Sequence, residues 1–233
     1  MTLEYPERTN MSGKPVLDSK SILQFLKSAV KEQENFYGPV FSKMVAKYAA
    51  EFEAKKTGDS SPPSIDNIDQ CVNYILEKNK QYADGFSAIP YGIARTEKML
   101  QGGIGPGART AAKDAMKRLA EKIGTASLYG KVTGTTEAWK KHLDFATMTH
   151  TKVEAITVTG DENSALAKVE ECHFSDACKA MMQENILTVS GKVECVVGKT
   201  DSSILEVITH AVHDYELLEF NPPHCSFRMF KIL

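Results

Sequence analysis

The side chains best equipped for chemistry in this 233-residue chain crowd into its last third. Cys172, His173, Cys178, Cys195, His210, His213, Asp214, His224 and Cys225 bring together thiol, imidazole and carboxylate groups. These groups ligate metals and pair a nucleophile with its base. Four of the five cysteines fall after residue 170, a crowding that composition does not explain. An odd number of cysteines, in a chain too large to need staples, predicts free thiols. A reactive thiolate needs a histidine, a cation or a helix N-terminus beside it. Cys172 meets that need: it closes a strand-like run just before a helix beginning near Ser175, and His173 follows it. Cys178 falls inside that helix and reads as packing. By type, each of these thiols is equally a small buried hydrophobe, and Cys195 in VECVV reads as an inward strand position.

Spacing sorts the histidines. If ILEVITHAVHDY is helical, Glu206, His210 and His213 share one face and point into one cavity. If it is a strand, His210 and His213 face opposite sides. No CxxC pair and no HExxH motif is present, which argues against a structural zinc site. GGIGPGART before a helix resembles an anion-binding N-terminus, with Arg109 adding charge. The residues before Gly102 look helical, however, and a dinucleotide fingerprint must follow a strand, so an interhelical turn is the better reading. GKT at Gly198 to Thr200 lacks the upstream glycine of a phosphate-binding loop.

The elements that position these groups read as helices first and strands afterwards. Ile22, Leu23, Leu26, Ala29 and Val30 recur at helical spacing. Pro39 opens a second helix, with Phe41, Met44, Val45, Tyr48 and Phe52 on one face and Gly58 closing it. Ser64 or Asp66 caps a third, which carries Ile68, Val72, Ile75 and Leu76. A fourth runs near Tyr91 to Leu100, and a fifth carries Ala108, Ala112, Ala115, Met116, Leu119 and Ile123, its alanines predicting close packing. A sixth runs through Trp139, Leu143 and Phe145, capped by Thr135 or Thr136. KVEAITVTG and ALAKVEEC then read as strands joined by a turn at Asp161 to Asn163. ILTVSG and KVECVVG read as another pair, with SDACKAMMQ helical between the two pairs. YELLEF and CSFRMFKI are the last two strands. The expected class is α+β: a helical N-terminal half packed on a mainly antiparallel sheet from the C-terminal half. The expected organisation is a polar leader at 1–18 and a single domain over 19–233.

Twenty-eight basic against thirty acidic side chains leave a formal charge of -2, so no summed field draws the molecule onto nucleic acid or an anionic membrane. The leader lacks the apolar segment of a secretory signal, and no run approaches the roughly 20 apolar residues of a membrane span. A cytoplasmic protein with a small-molecule partner is expected, with self-association left open.

Three segments carry a family resemblance: VEECHFSDACKAM, then VECVV, then CSFRMF. Over about the last 65 residues the chain resembles the L-2-amino-thiazoline-4-carboxylic acid hydrolase family. The resemblance carries over Cys172, Cys195, Cys225 and Arg228 and implies hydrolytic opening of a C–N bond in a small heterocycle or amidine. In that reading Cys172 or Cys225 is the thiolate, His173, His224 or His210 moves the proton, Arg228 or Arg109 holds a substrate carboxylate, and no cofactor is required. LLEFNPPH stands where that family has an arginine and a glycine. The ending also resembles the four-vinyl-reductase domain, which implies non-catalytic binding of an aromatic or tetrapyrrole ligand. There zinc or iron would be held by Cys195, His210, His213 and Cys225.

Overall fold

The computed structural model describes residues 19–79, 85–104, 107–122, 124, 129–145, 156–170, 172–186, 195–221 and 223–232. The leader at 1–18 and residues 187–194, which hold most of the expected ILTVSG strand and the start of KVECVVG, lie outside them. The described elements are α1 (Ser19–Tyr37), α2 (Pro39–Thr57), α3 (Ile68–Lys78), α4 (Ala88–Ile104), α5 (Gly107–Lys122), α6 (Thr135–Phe145), β1 (Ile156–Gly160), β2 (Ser164–Val169), α7 (Ser175–Gln183), α8 (Val196–Thr209), β3 (His213–Asn221) and β4 (His224–Lys231). The class is α+β, with most helices in the first half and a four-stranded antiparallel sheet in the second. Among the described residues no helix is long and apolar enough to cross a membrane.

Two compact units share these elements, one comprising residues 22–115 and 173–194, the other residues 1–21, 116–172 and 195–233. In the first, α2 packs on α3 and α4, and α4 on α7. Pro39 pre-sets the first turn of α2, and Gly58 at φ 71° ends it, donating its N–H to the Ala54 carbonyl. The buried face of α2 is Phe41, Val45, Ala46, Ala49 and Ala50, rotated towards the alanines from the expected stripe. Gly92 of α4 explains the rotation: a Cβ there would meet the Val45 carbonyl oxygen at 2.5 Å, so the two backbones nearly touch. The cap of α3 is Asn67, not Ser64 or Asp66. Its side chain accepts the Gln70 N–H, while the Gln70 side chain accepts the Asp66 N–H.

In the second unit the sheet order is β1-β2-β4-β3, with α6 and α8 covering one face. Register and the two-residue period put Val158, Ala165, Ala167, Val169, Phe227, Met229, His213 and Tyr215 on the covered face. All eight are buried. Trp139 of α6 lies against Phe227, ring centroids 5.1 Å apart. Neither threonine caps α6 as expected. The Thr135 hydroxyl bonds His213 Nε2, Thr136 donates to the Ser164 carbonyl, and the Thr135 and Thr136 amides are satisfied by the Glu162 and Asp161 carbonyls.

KVECVVG is not a strand from Val196 onward. Cys195 is the N-cap of α8, its sulfur accepting the Gly198 N–H at 3.4 Å, and Val197, Ile204, Leu205 and Ile208 recur at helical spacing on a buried face. That periodicity outweighs the β-propensity of the individual residues.

Candidate ligand site

α8 ends where the two readings of ILEVITHAVHDY diverge, and the chain takes both in turn. It is helical through Thr209, His210 adopts the left-handed conformation at φ 56°, and β3 begins at His213. Glu206 and His210 therefore lie one helical turn apart, and His213 leaves the helix to enter the sheet. His213 is fully buried: Nδ1 lies 2.8 Å from the Ala211 carbonyl, Nε2 lies 3.1 Å from Thr135 Oγ1, and the backbone N–H donates to Glu206 Oε1 at 3.2 Å. Glu206 Oε2 faces Lys117 Nζ of α5 at 3.6 Å, and the glutamate side chain is only 12% exposed.

These groups line a cleft of about 510 Å³. Lys117, Glu121 and Gly124 line it from one stretch of chain, and Glu206, Val207, His210, Ala211 and Val212 from the end of α8 and the residues after it. Its volume lies within the roughly 300–1,000 Å³ typical of small-molecule sites. Two carboxylates and one ammonium line it, beside the apolar Val207, Ala211 and Val212. Sequence reasoning had singled out Glu206 and His210. Lys117 and Glu121 it missed, because they lie some 90 residues upstream and nothing local marks them.

The thiols and remaining histidines are placed differently. Cys225 follows the covered face of β4, opposite Val169 and Phe220, and Cys172 comes shortly after the end of β2. Burial, and after it the charge of Cys172, push the Cys225 thiol up to about 12, so Cys225 is a neutral thiol at neutral pH. His224 and Arg228 alternate with Cys225 and project from the opposite face. His224 Nδ1 lies 3.3 Å from Glu170, and Arg228 donates to Glu216 at 2.7 Å. His173 packs edge-on against Phe86, and its carbonyl accepts the Ser87 hydroxyl. Arg109 lies in the first turn of α5; its side chain is outside the described residues. Cys178 is buried on α7, and Asp214 Oδ1 accepts the Tyr215 N–H.

The four residues expected to hold zinc or iron are not brought together. Cys195 and His210 bracket the 14 residues of α8, which at about 1.5 Å per residue sets them roughly 20 Å apart. Among the described residues no group of three histidine, cysteine or acidic side chains is arranged to hold a metal.

A polar chain that sequence reasoning also missed runs between α6 and α8. Trp139 Nε1 donates to Asp201 Oδ2 at 2.9 Å, His142 Nε2 lies 3.4 Å from Asp201 Oδ1, and Tyr129 Oη lies 3.2 Å from His142 Nδ1. Asp201 and His142 are almost wholly buried, and neither lines the cleft. The signal was the polar run Lys199–Ser203 inside an otherwise apolar helix. Ser202 and Ser203 turn their hydroxyls back onto the Lys199 carbonyl, which satisfies them in the interior. The set packs α6 against α8 in one register.

Compared with known families, curated proteins and solved structures, the chain matches none of them.

Proposed function

We propose that the chain is a non-catalytic small-molecule-binding domain whose ligand occupies the cleft at the C-terminal end of α8. The observation that carries this reading is Glu206, a carboxylate seven-eighths buried in the wall of a cleft, with one oxygen held by the His213 N–H and the other facing Lys117. A carboxylate fixed in this way is pre-organised to receive a hydrogen-bond donor without reorganising. With Glu121 it gives the lining a surplus of negative charge, which favours an organic amine or amidine. Val207, Ala211 and Val212 supply the apolar contact for the body of such a molecule.

Turnover at the thiols draws less support. Nucleophilic catalysis needs a thiolate with a base in reach. Cys225 is held protonated, while His224 and Arg228 project from the other face of its strand and are engaged with Glu170 and Glu216. The test is amide chemical-shift mapping with a panel of single-ring amines and amidines and a matched panel of carboxylates. Binding is expected from the cationic panel, with shifts concentrated at Glu206–Val212 and Lys117. Shifts centred on Cys172 and Cys225, or no response to either panel, would contradict the proposal.

A further inference from the structure

We propose that Cys172 and Cys225 form a reversible intramolecular disulfide when the protein meets a peroxide, making this pair a thiol-modification site separate from the ligand cleft. Register brings Cys225 to the end of the strand that leads to Cys172. Val169 is the direct partner of Cys225 across β2 and β4, where paired Cα atoms lie about 5 Å apart, and Cys172 follows Val169 by three residues. Cys172 lies near enough for its charge to act on Cys225. Neither is in a disulfide and both are half-buried, whereas Cys71, Cys178 and Cys195 are buried, the last capping α8. Two half-buried thiols, 53 positions apart in sequence and neighbours in the fold, are the arrangement a resolving pair requires.

The chemistry balances with hydrogen peroxide as oxidant. The Cys172 thiolate attacks one peroxide oxygen, the O–O bond breaks, and the departing oxygen takes up a proton and leaves as water, giving a sulfenic acid. The Cys225 sulfur then attacks the sulfenic sulfur, the S–S bond forms, the S–O bond breaks and a second water leaves. Two thiols lose two protons and two electrons, and the peroxide is reduced to two waters. Because Cys225 is protonated at neutral pH, the second step accelerates as pH rises.

The experiment treats the full reduced chain with hydrogen peroxide, alkylates the remaining thiols under denaturing conditions and digests with trypsin. Free thiols are expected to fall from five to three, with the peptide carrying Cys172 joined to the one carrying Cys225. Fragmentation should place the bridge on Cys172 rather than Cys178, and dithiothreitol should restore all five thiols. The same bridge is expected in Cys178→Ser, while Cys225→Ser is expected to leave Cys172 as a sulfenic or sulfinic acid. Five alkylatable thiols after treatment, a bridge through Cys178, or bridges only between chains would overturn the proposal, and the parent protein alone gives that answer.

Discussion

His210 holds a φ of 56°, a conformation that costs a residue with a Cβ about 1–2 kcal/mol and that glycine adopts freely. The helix would end as well or better with glycine there, yet the chain places an imidazole on the wall of the cleft. His210→Gly is expected to raise unfolding free energy in urea by about 1 kcal/mol while weakening amine binding. A destabilised variant would show that the imidazole contributes packing instead. Asp201 is the opposite case, a residue whose role is structural. Asp201→Ala would leave the Trp139 indole N–H buried without its acceptor, at an expected cost of about 2–4 kcal/mol. Fluorescence of Trp139, the single tryptophan, reports the transition directly. Residue identity alone could not separate these roles: the buried aspartate and the cleft glutamate lie five positions apart on one helix.

At the scale of elements, α8 shows where sequence was readable and where it was not. Its second half was legible as helix or strand, and the chain uses both, separated by the left-handed cap. Its first half read as strand because Val196 and Val197 are β-branched, and what that reading missed was the cap made by a cysteine sulfur. Gly198, seen only as part of a failed phosphate-loop motif, turns out to be a packing contact: a Cβ there would meet the Tyr215 ring of β3 at 2.5–2.8 Å. Gly198→Ala should therefore cost about 1–3 kcal/mol by forcing the helix from the sheet, measured by urea unfolding; a neutral result would mean that the ring moves aside freely. The β1–β2 turn and the β3–β4 pair were plain in the sequence because alternation coincided there with strong turn residues, and α7 because its apolar residues recur at helical spacing.

Across the whole molecule, the α+β class followed from the order of patterns along the chain, but the gathering of distant side chains did not. The late cysteines and histidines are neighbours in sequence, yet the strand period sends Cys225 and Arg228 to opposite faces and α8 separates Cys195 from His210. Each compact unit also carries a thiol pushed up to about 12, Cys71 in one and Cys225 in the other, in both cases chiefly by burial. Both folded values lie above the ordinary value near 9, so the folded chain favours the protonated thiols. That contribution is complete below pH about 9 and is lost as pH rises towards about 12. Urea midpoints of both units should fall over that interval, and Cys71→Ala and Cys225→Ala should each flatten the fall.

The cleft itself is tested most directly by filling it. Ala211 lines the wall without being part of α8 or β3, so Ala211→Trp places a ring in the ligand's volume while leaving both elements intact. Isothermal titration of the best-binding amine against the parent and this variant, with unfolding curves confirming that both are folded, gives the answer. At least a tenfold loss of affinity in Ala211→Trp is expected; equal affinity in the two proteins would place the ligand elsewhere and contradict the account.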